Sequence, residues 1–214
     1  MPWSSNATFL VTLTLDETTM PAIYKPHRGE RPLWDFPNGL YLREAAAYEL
    51  STYLGWAVVP ETIIRRDGPF GAGSYQRFVP ADFTEHYFTL LEDSGFHDAL
   101  RVIAAFDLVA NNADRKSGHC LLAEDGHIWG IDNGLCFHVE HKLRTVMWDF
   151  AGEPVPSHLL DGLARLYTQP PESMCRYLSD AEVDMLAHRA RAVIRSGTFP
   201  NPPDDHRAYP WPLV

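Results

Sequence analysis

Two short stretches hold the residues best suited to chemistry: Asn111-Asn112-Ala113-Asp114-Arg115-Lys116-Ser117-Gly118-His119, and Ile131-Asp132-Asn133-Gly134. Phosphoryl transfer asks for this combination. One acid orients the attacking hydroxyl, and another, with a neutral ligand, holds a divalent cation on the phosphates. Mg²⁺ takes a few hard oxygen ligands and fills the rest of its shell with water. A third part lies upstream, where Lys25 ends one extended run and Glu44 opens the next helical one. A lysine steadied by a helix glutamate can reach the same phosphates. Glu49 competes for that pairing, but five residues on it occupies a different part of the helix, and Glu44 is the preferred partner.

For these residues to meet, the chain must supply strands, helices and turns in the right places. Ala7 to Leu15 alternates weakly and is rich in β-branched residues, which predicts a strand, and Pro21 to Pro26 predicts a short second one. Gly29 to Gly39 is a loop rich in Pro and Gly. Tyr41 to Leu54 repeats its apolar residues at helical spacing and stops at Gly55. Strands follow at Thr62 to Arg65 and Ser74 to Val79, with the turn Asp67-Gly68-Pro69 between them. After Pro80, Asp98 is placed to cap a helix through Leu100, Ile103, Ala104 and Leu108. His119 to Ala123 and Ile128 to Ile131 form a hairpin across Glu124-Asp125-Gly126, which can return Asp132 toward Asp114. Beyond Phe150 the pattern is helical, clearest over Ala181 to Ile194, and five prolines give the last residues an irregular course. The outline is α+β and two-lobed: residues 1–79 with strands and one helix, residues 80–214 mainly helical, and a hinge at Val79-Pro80.

Bulk properties narrow the choice of partners. The 214 residues are 45% hydrophobic and 21% charged, a globular profile, with a formal net charge of -10. That balance argues against nucleic acid or an anionic membrane as a partner, both of which need clustered Lys and Arg. Cys120, Cys136 and Cys175 are odd in number and form no metal-binding spacing, as expected of reduced thiols in a cytoplasmic protein. No basic-then-apolar leader opens the chain, and no apolar run approaches the ~20 residues that span a bilayer, so no membrane insertion is expected.

Other residues have plainer readings. Asn111 and Asn112 fit a helix end and turn. His138 and His141, three apart, could share a helix face but have no matching acids, so a solvated pair is expected. Trp34, Phe36, Trp148 and Phe150 are expected to pack. Arg43, Arg65, Arg66, Arg77, Lys142 and Arg144 can add local positive potential, most of them from solvent-exposed positions.

The chain also resembles a known family. Tyr24-Lys25-Pro26, Leu42 to Leu50, Gly73 to Val79, Ala113-Asp114-Arg115 and Gly130-Ile131-Asp132-Asn133-Gly134 are similar to the phosphatidylinositol 3- and 4-kinase group, and more closely to a bacterial, mostly actinobacterial, branch of it. The likeness runs from Ser4 to about Phe150. It implies a reduced protein-kinase-like fold that uses ATP with Mg²⁺ or Mn²⁺. By position, Lys25 contacts the α- or β-phosphate and Glu44 pairs with it. Gln76, Phe78 and Val79 belong to the nucleotide-binding set, with Phe78 and Val79 lining the adenine slot and the Val79 backbone bonding the base. Asp114 is implied as the catalytic acid and Asp132 as the principal metal ligand. Ser4, Ser5, Asn6, Ala7 and Thr8 fall on the phosphate-covering loop.

Three positions depart from the family pattern. His119 stands where the family has the asparagine that is its second metal ligand, Lys116 replaces a histidine, and Asn133 replaces the phenylalanine of the Asp-Phe-Gly motif. Imidazole suits Mn²⁺ or Zn²⁺ better than Mg²⁺. The leading expectation is an ATP-dependent phosphotransferase acting on a protein or small-molecule hydroxyl. A nucleotide-holding pseudokinase, a metal-dependent hydrolase built on Asp114, His119 and Asp132, and nucleotidyl transfer within the same fold remain as alternatives.

Overall fold

A computed structural model describes residues 6–204 and 208–214, so the expected phosphate-loop residues Ser4 and Ser5 lie outside the described residues. Four antiparallel strands, β1 (Phe9–Leu15), β2 (Thr18–Pro26), β3 (Thr62–Gly68) and β4 (Gly71–Arg77), form a sheet in the order β1-β2-β4-β3. β2 starts earlier than its apolar pattern indicates. A tight turn with Asp16 at φ 53° pairs Thr18 directly with Leu15, and Thr18 to Met20 stay exposed, so burial leaves no periodic mark there. The β3–β4 hairpin needs Gly68. A Cβ at that position would come within 2.2 Å of the Tyr75 hydroxyl.

The helix α1 (Leu40–Leu54) ends as its sequence predicts: Gly55 takes φ 72° and its N–H returns to the Ser51 and Thr52 carbonyls. Beyond the first sheet lie β5 (Ala81–Asp82), α2 (Tyr87–Leu90), α3 (His97–Ala110), β6 (Cys120–Ala123), β7 (Ile128–Gly130), α4 (Ser157–Thr168) and α5 (Asp180–Ser196). β5, β6 and β7 make a second, three-stranded sheet, and β5 is too short to leave a sequence signature. Asp98 does not cap α3. A 3₁₀ turn over Ser94–Phe96 runs straight into the helix, which moves its start to His97. Asp98 then sits in the first turn, where it suits the helix dipole and pairs with Arg101 at 3.0 Å.

One apolar core joins these elements. Ala46, Ala47, Leu50 and Leu54 of α1 share it with Ile103, Phe106 and Val109 of α3, Leu159 and Leu163 of α4, and Leu186 and Ala190 of α5. Each buried Leu or Phe contributes about 1.5–3 kcal/mol. The run Ala45-Ala46-Ala47 keeps one stretch of α1 thin where it passes through the core. A polar clamp locks the orientation of α1. Arg43, almost wholly buried, donates to the Cys136 carbonyl and pairs with Glu182 of α5. Glu182 also accepts the Ser179 N–H at 2.8 Å and its hydroxyl at 2.9 Å, closing the capping box of α5. Glu182→Ala is therefore expected to destabilise the protein by about 3 kcal/mol, because it strands a buried guanidinium. Ser179→Ala is expected to cost about 1 kcal/mol for the cap alone. Urea unfolding of the two variants checks this, and equal losses would show that Arg43 does not depend on Glu182.

Candidate active site

Lys25 lies one residue from the end of β2, opposite Ser74 of β4. Strand alternation puts Ile23, Gln76, Thr62 and Leu10 on the same face. From that face Lys25 Nζ bonds Glu44 Oε1 and Asp132 Oδ1, the latter at 2.7 Å. Glu44 is buried in the second turn of α1, and its Oε2 accepts the Asn133 N–H at 3.1 Å. Three residues far apart in sequence are thus gathered around one ammonium group.

Asp132 is turned toward the cleft by an unusual backbone. Its φ of 59° is left-handed, which costs an ordinary L-residue roughly 1–2 kcal/mol, though Asp tolerates it better than most. The surrounding bonds hold it there. Arg115 is fully buried and forks onto Asp107, with Nε 3.0 Å from Oδ2 and Nη2 2.9 Å from Oδ1. Its remaining donors reach the Ile131 carbonyl at 2.6 Å and Asn133 Oδ1 at 2.7 Å, the residues on either side of Asp132. Asn133 closes the turn with a 3.1 Å bond to the Gly130 carbonyl. A polar lock therefore stands where the family pattern has a phenylalanine.

Asp114 lies close enough to Asp132 for the two carboxylates to feel each other's charge. Its N–H donates to Asn112 Oδ1 at 3.0 Å, and Asn112 donates to the same Asp107 at 3.0 Å. Lys116 Nζ lies 3.1 Å from Asp114 Oδ2. His119 lies 3.5 Å through Nε2 from Asp132 Oδ2, and its Nδ1 accepts the Lys116 N–H at 3.3 Å. The last residues brace this loop from behind: Ser117 N–H donates to the Leu213 carbonyl at 2.8 Å, and Thr145 N–H to that of Ala208 at 3.1 Å.

The charges are tuned accordingly. Burial opposes the charge of Lys25, but Asp132 and Glu44 together outweigh it and hold its pKa above the ordinary value. The Lys25 ammonium holds Asp132 well below the usual carboxylate range. Burial raises Asp114, and Lys116 offsets only part of that rise. Burial pushes His119 down to about 4, so its ring is neutral at pH 7.

Where the first sheet ends, Phe78 N–H donates to the Pro21 carbonyl at 3.1 Å, whereas no backbone bond among the described residues engages Val79. Gln76 donates to Thr62 Oγ1 at 3.0 Å. Asn6 accepts the Arg31 N–H at 2.9 Å, pinning the segment before β1 to the Gly29–Gly39 loop.

Several residues behave differently from their plain readings. His138 and His141 lie in an irregular segment and share no helix face. Asn111, the left-handed cap of α3, holds that segment through the His138 and Glu140 carbonyls and the Lys142 N–H. Trp34 is 95% exposed and does not pack, because its loop is anchored by Asp35, whose carboxylate lies 3.6 Å from Lys142 and 3.9 Å from Arg144. Trp34, Asp35, Phe36, His138, Glu140 and Lys142 line an open groove, and the charge of Arg144 reaches Asp114 from beside it. Sequence reading missed Asp107 and the role of Arg115. The one available signal was a carboxylate amid the apolar residues Phe106, Leu108 and Val109. It also missed Leu10 and Ile23, which a two-residue step from Lys25 and the cross-strand register place on its face.

This arrangement is a small, two-lobed, protein-kinase-like fold. A solved structure, the proinflammatory kinase CtkA of Helicobacter pylori, is similar to it with a TM-score of 0.50 over 89% of this chain and 88% of that one, at 16% identity. The sequence matches the family described as phosphatidylinositol 3- and 4-kinase over residues 43–190, and the chain belongs to that family. It is also 41% identical to the protein Rv2133c of Mycobacterium tuberculosis, over 98% of this chain and 88% of that protein. The family match extends past Phe150, where the resemblance read from the sequence stops, to include most of α5. It starts after Lys25.

The buried, neutral His119 has a consequence for pH. Its folded pKa of about 4 lies below the unfolded value of about 6.5, so the unfolded chain takes up the proton first. The contribution is complete above pH 6.5 and is lost as pH falls toward 4, at up to ~1.4 kcal/mol per pH unit. Metal-free chemical denaturation from pH 7 to 4 should show that slope in the wild type and a shallower one in His119→Gln. Parallel curves would refute it.

Proposed function

We propose that this chain is an ATP-dependent phosphotransferase, an atypical kinase assisted by Mg²⁺ or Mn²⁺ and acting on a protein or small-molecule hydroxyl. The observation that carries this reading is the convergence of Glu44 and Asp132 on Lys25, with Asp114 near enough to Asp132 for their charges to interact. The cleft falls between lobes we divide at Val79-Pro80. Bound ATP would supply the γ-phosphoryl group, and the divalent ion would spread its developing charge.

The donors present fit those groups. Asp132 is half-exposed, a hard oxygen donor open to the cleft. Among the described residues no three His, Cys, Asp or Glu side chains form a closed metal cage. Such a site suits an ion that completes its shell with phosphate oxygens and water. It does not suit the hydrolase alternative, which needs Asp114, His119 and Asp132 as joint ligands. In the phosphotransferase, Lys25 would leave Asp132 for the α- or β-phosphate while Glu44 would keep it aimed. Val79, Phe78, Gln76, Leu10 and Ile23 would hold the adenine. Asp132 would be the principal metal ligand, with His119 beside it where the family pattern has its second ligand. Asn6 belongs to the phosphate-covering segment. Asp114, with its raised pKa, accepts the proton of the acceptor hydroxyl, which enters by the groove of Trp34 and Lys142.

A second reading, a pseudokinase that holds nucleotide without transfer, draws on the same sparse metal ligation. The free thiols Cys120, Cys136 and Cys175 accord with a cytoplasmic setting, and no described helix is long and apolar enough to cross a membrane. Titration calorimetry with ATP and Mn²⁺ should give binding that Lys25→Ala weakens. Asp114→Asn should leave that binding intact while lowering γ-phosphate release or transfer by about 10²–10⁴-fold. Failure to bind at millimolar nucleotide would overturn both readings. Binding with γ-phosphate loss that Asp114→Asn leaves unchanged would remove the assigned role of Asp114, and binding without γ-phosphate loss would select the pseudokinase.

A further inference from the structure

We propose that His119 is a positioning residue, which turns a protonated Nε2 toward Asp132 and steadies its carboxylate electrostatically, and does not itself ligate the metal. The inference deepens the phosphotransferase reading and rests on it for the metal. Its ground is the ring's own hydrogen bonding. The backbone N–H of Lys116 points at His119 Nδ1 at 3.3 Å, so Nδ1 must offer a lone pair. A neutral imidazole has one protonated nitrogen and one acceptor, and with Nδ1 accepting, the proton is on Nε2. Nε2 is the nitrogen that faces Asp132, 3.5 Å from Oδ2. A nitrogen that carries a proton has no lone pair for a cation.

The backbone keeps the ring in this tautomer. His119 N–H returns to the Lys116 carbonyl at 3.1 Å, so the Ser117–His119 turn is closed in both directions. Ligation through Nε2 would require the other tautomer, with Nδ1–H set against the Lys116 N–H. The charged groups around the ring are Asp132, Arg115, Lys116 and Lys25, and the three cations disfavour a second ring proton. Asp132 thereby meets a donor at each oxygen, a hydrogen bond from Lys25 on Oδ1 and the more distant Nε2 of His119, 3.5 Å from Oδ2. The protein then offers the ion a carboxylate and no imidazole, which matches the hard cations Mg²⁺ and Mn²⁺ over Zn²⁺.

Two measurements test this on the full chain. In ¹⁵N-histidine NMR of the metal-free protein, His119 should show the protonated nitrogen at Nε2. Pulsed electron spin resonance of the protein with Mn²⁺ and a non-hydrolysable ATP analogue should show no directly bound imidazole nitrogen. His119→Ala should weaken Mn²⁺ about tenfold, the usual cost of losing a residue that orients a ligand, while His119→Gln, whose amide can donate to Asp132, should restore most of that loss. An Nδ1–H tautomer, or a nitrogen coupling to Mn²⁺ that vanishes in His119→Gln, would overturn the proposal. If neither Mn²⁺ nor nucleotide binds, the phosphotransferase reading falls, and the NMR tautomer alone still decides the hydrogen-bonding role of His119.

Discussion

The site is organised around one guanidinium, that of Arg115. It is fully buried beside Cys120 and Cys136, where an unpaired charge would cost several kcal/mol. Asp107 neutralises it, and its five donors fix its geometry. Two of those donors set the residues that flank Asp132, while Asp107 also holds Asn112, two residues before Asp114. The Asp114 loop and the Asp132 turn are therefore parts of one hydrogen-bonded body. Surface pairs such as Arg65 with Asp67 are screened by solvent and could not hold Asp132 at positive φ.

Asn133 extends the same logic. A phenylalanine at this position could leave one pocket for another with little directional cost, since apolar contacts are non-directional. Asn133 instead spends its amide on Arg115 and Gly130 and its N–H on Glu44. Moving it would break bonds to three elements at once. The arrangement holds the Asp132 turn in one state, with Lys25 bonded to Asp132.

The residues beyond Phe150 contribute support. α5 supplies Glu182 to Arg43, which sets α1 and with it Glu44. The Ala208 and Leu213 carbonyls stiffen the loops around Thr145 and Ser117. This support accords with a family match that continues through α4 into α5.

What the sequence determined by itself was local. Period-two and helical spacing placed β1, α1, α3, the β6–β7 hairpin and α5. Gly55 stopped α1, and Lys25, Glu44, Asp114 and Asp132 stood out by type and by the element each sits on. These features are written in short windows because caps, turns and strand alternation act over a few residues. Tertiary structure decided the rest. It placed Asp98 inside a helix that a neighbouring turn had extended. It left Trp34 in solvent and drew Asp35 to Lys142 and Arg144. It made Arg115, a charged residue in a polar loop, the largest fully buried side chain among the described residues. It also gave His119 its tautomer through the direction of a single Lys116 N–H. Such outcomes depend on which distant groups share a low-dielectric space, where one partner changes a side chain's energy by more than its own propensity does.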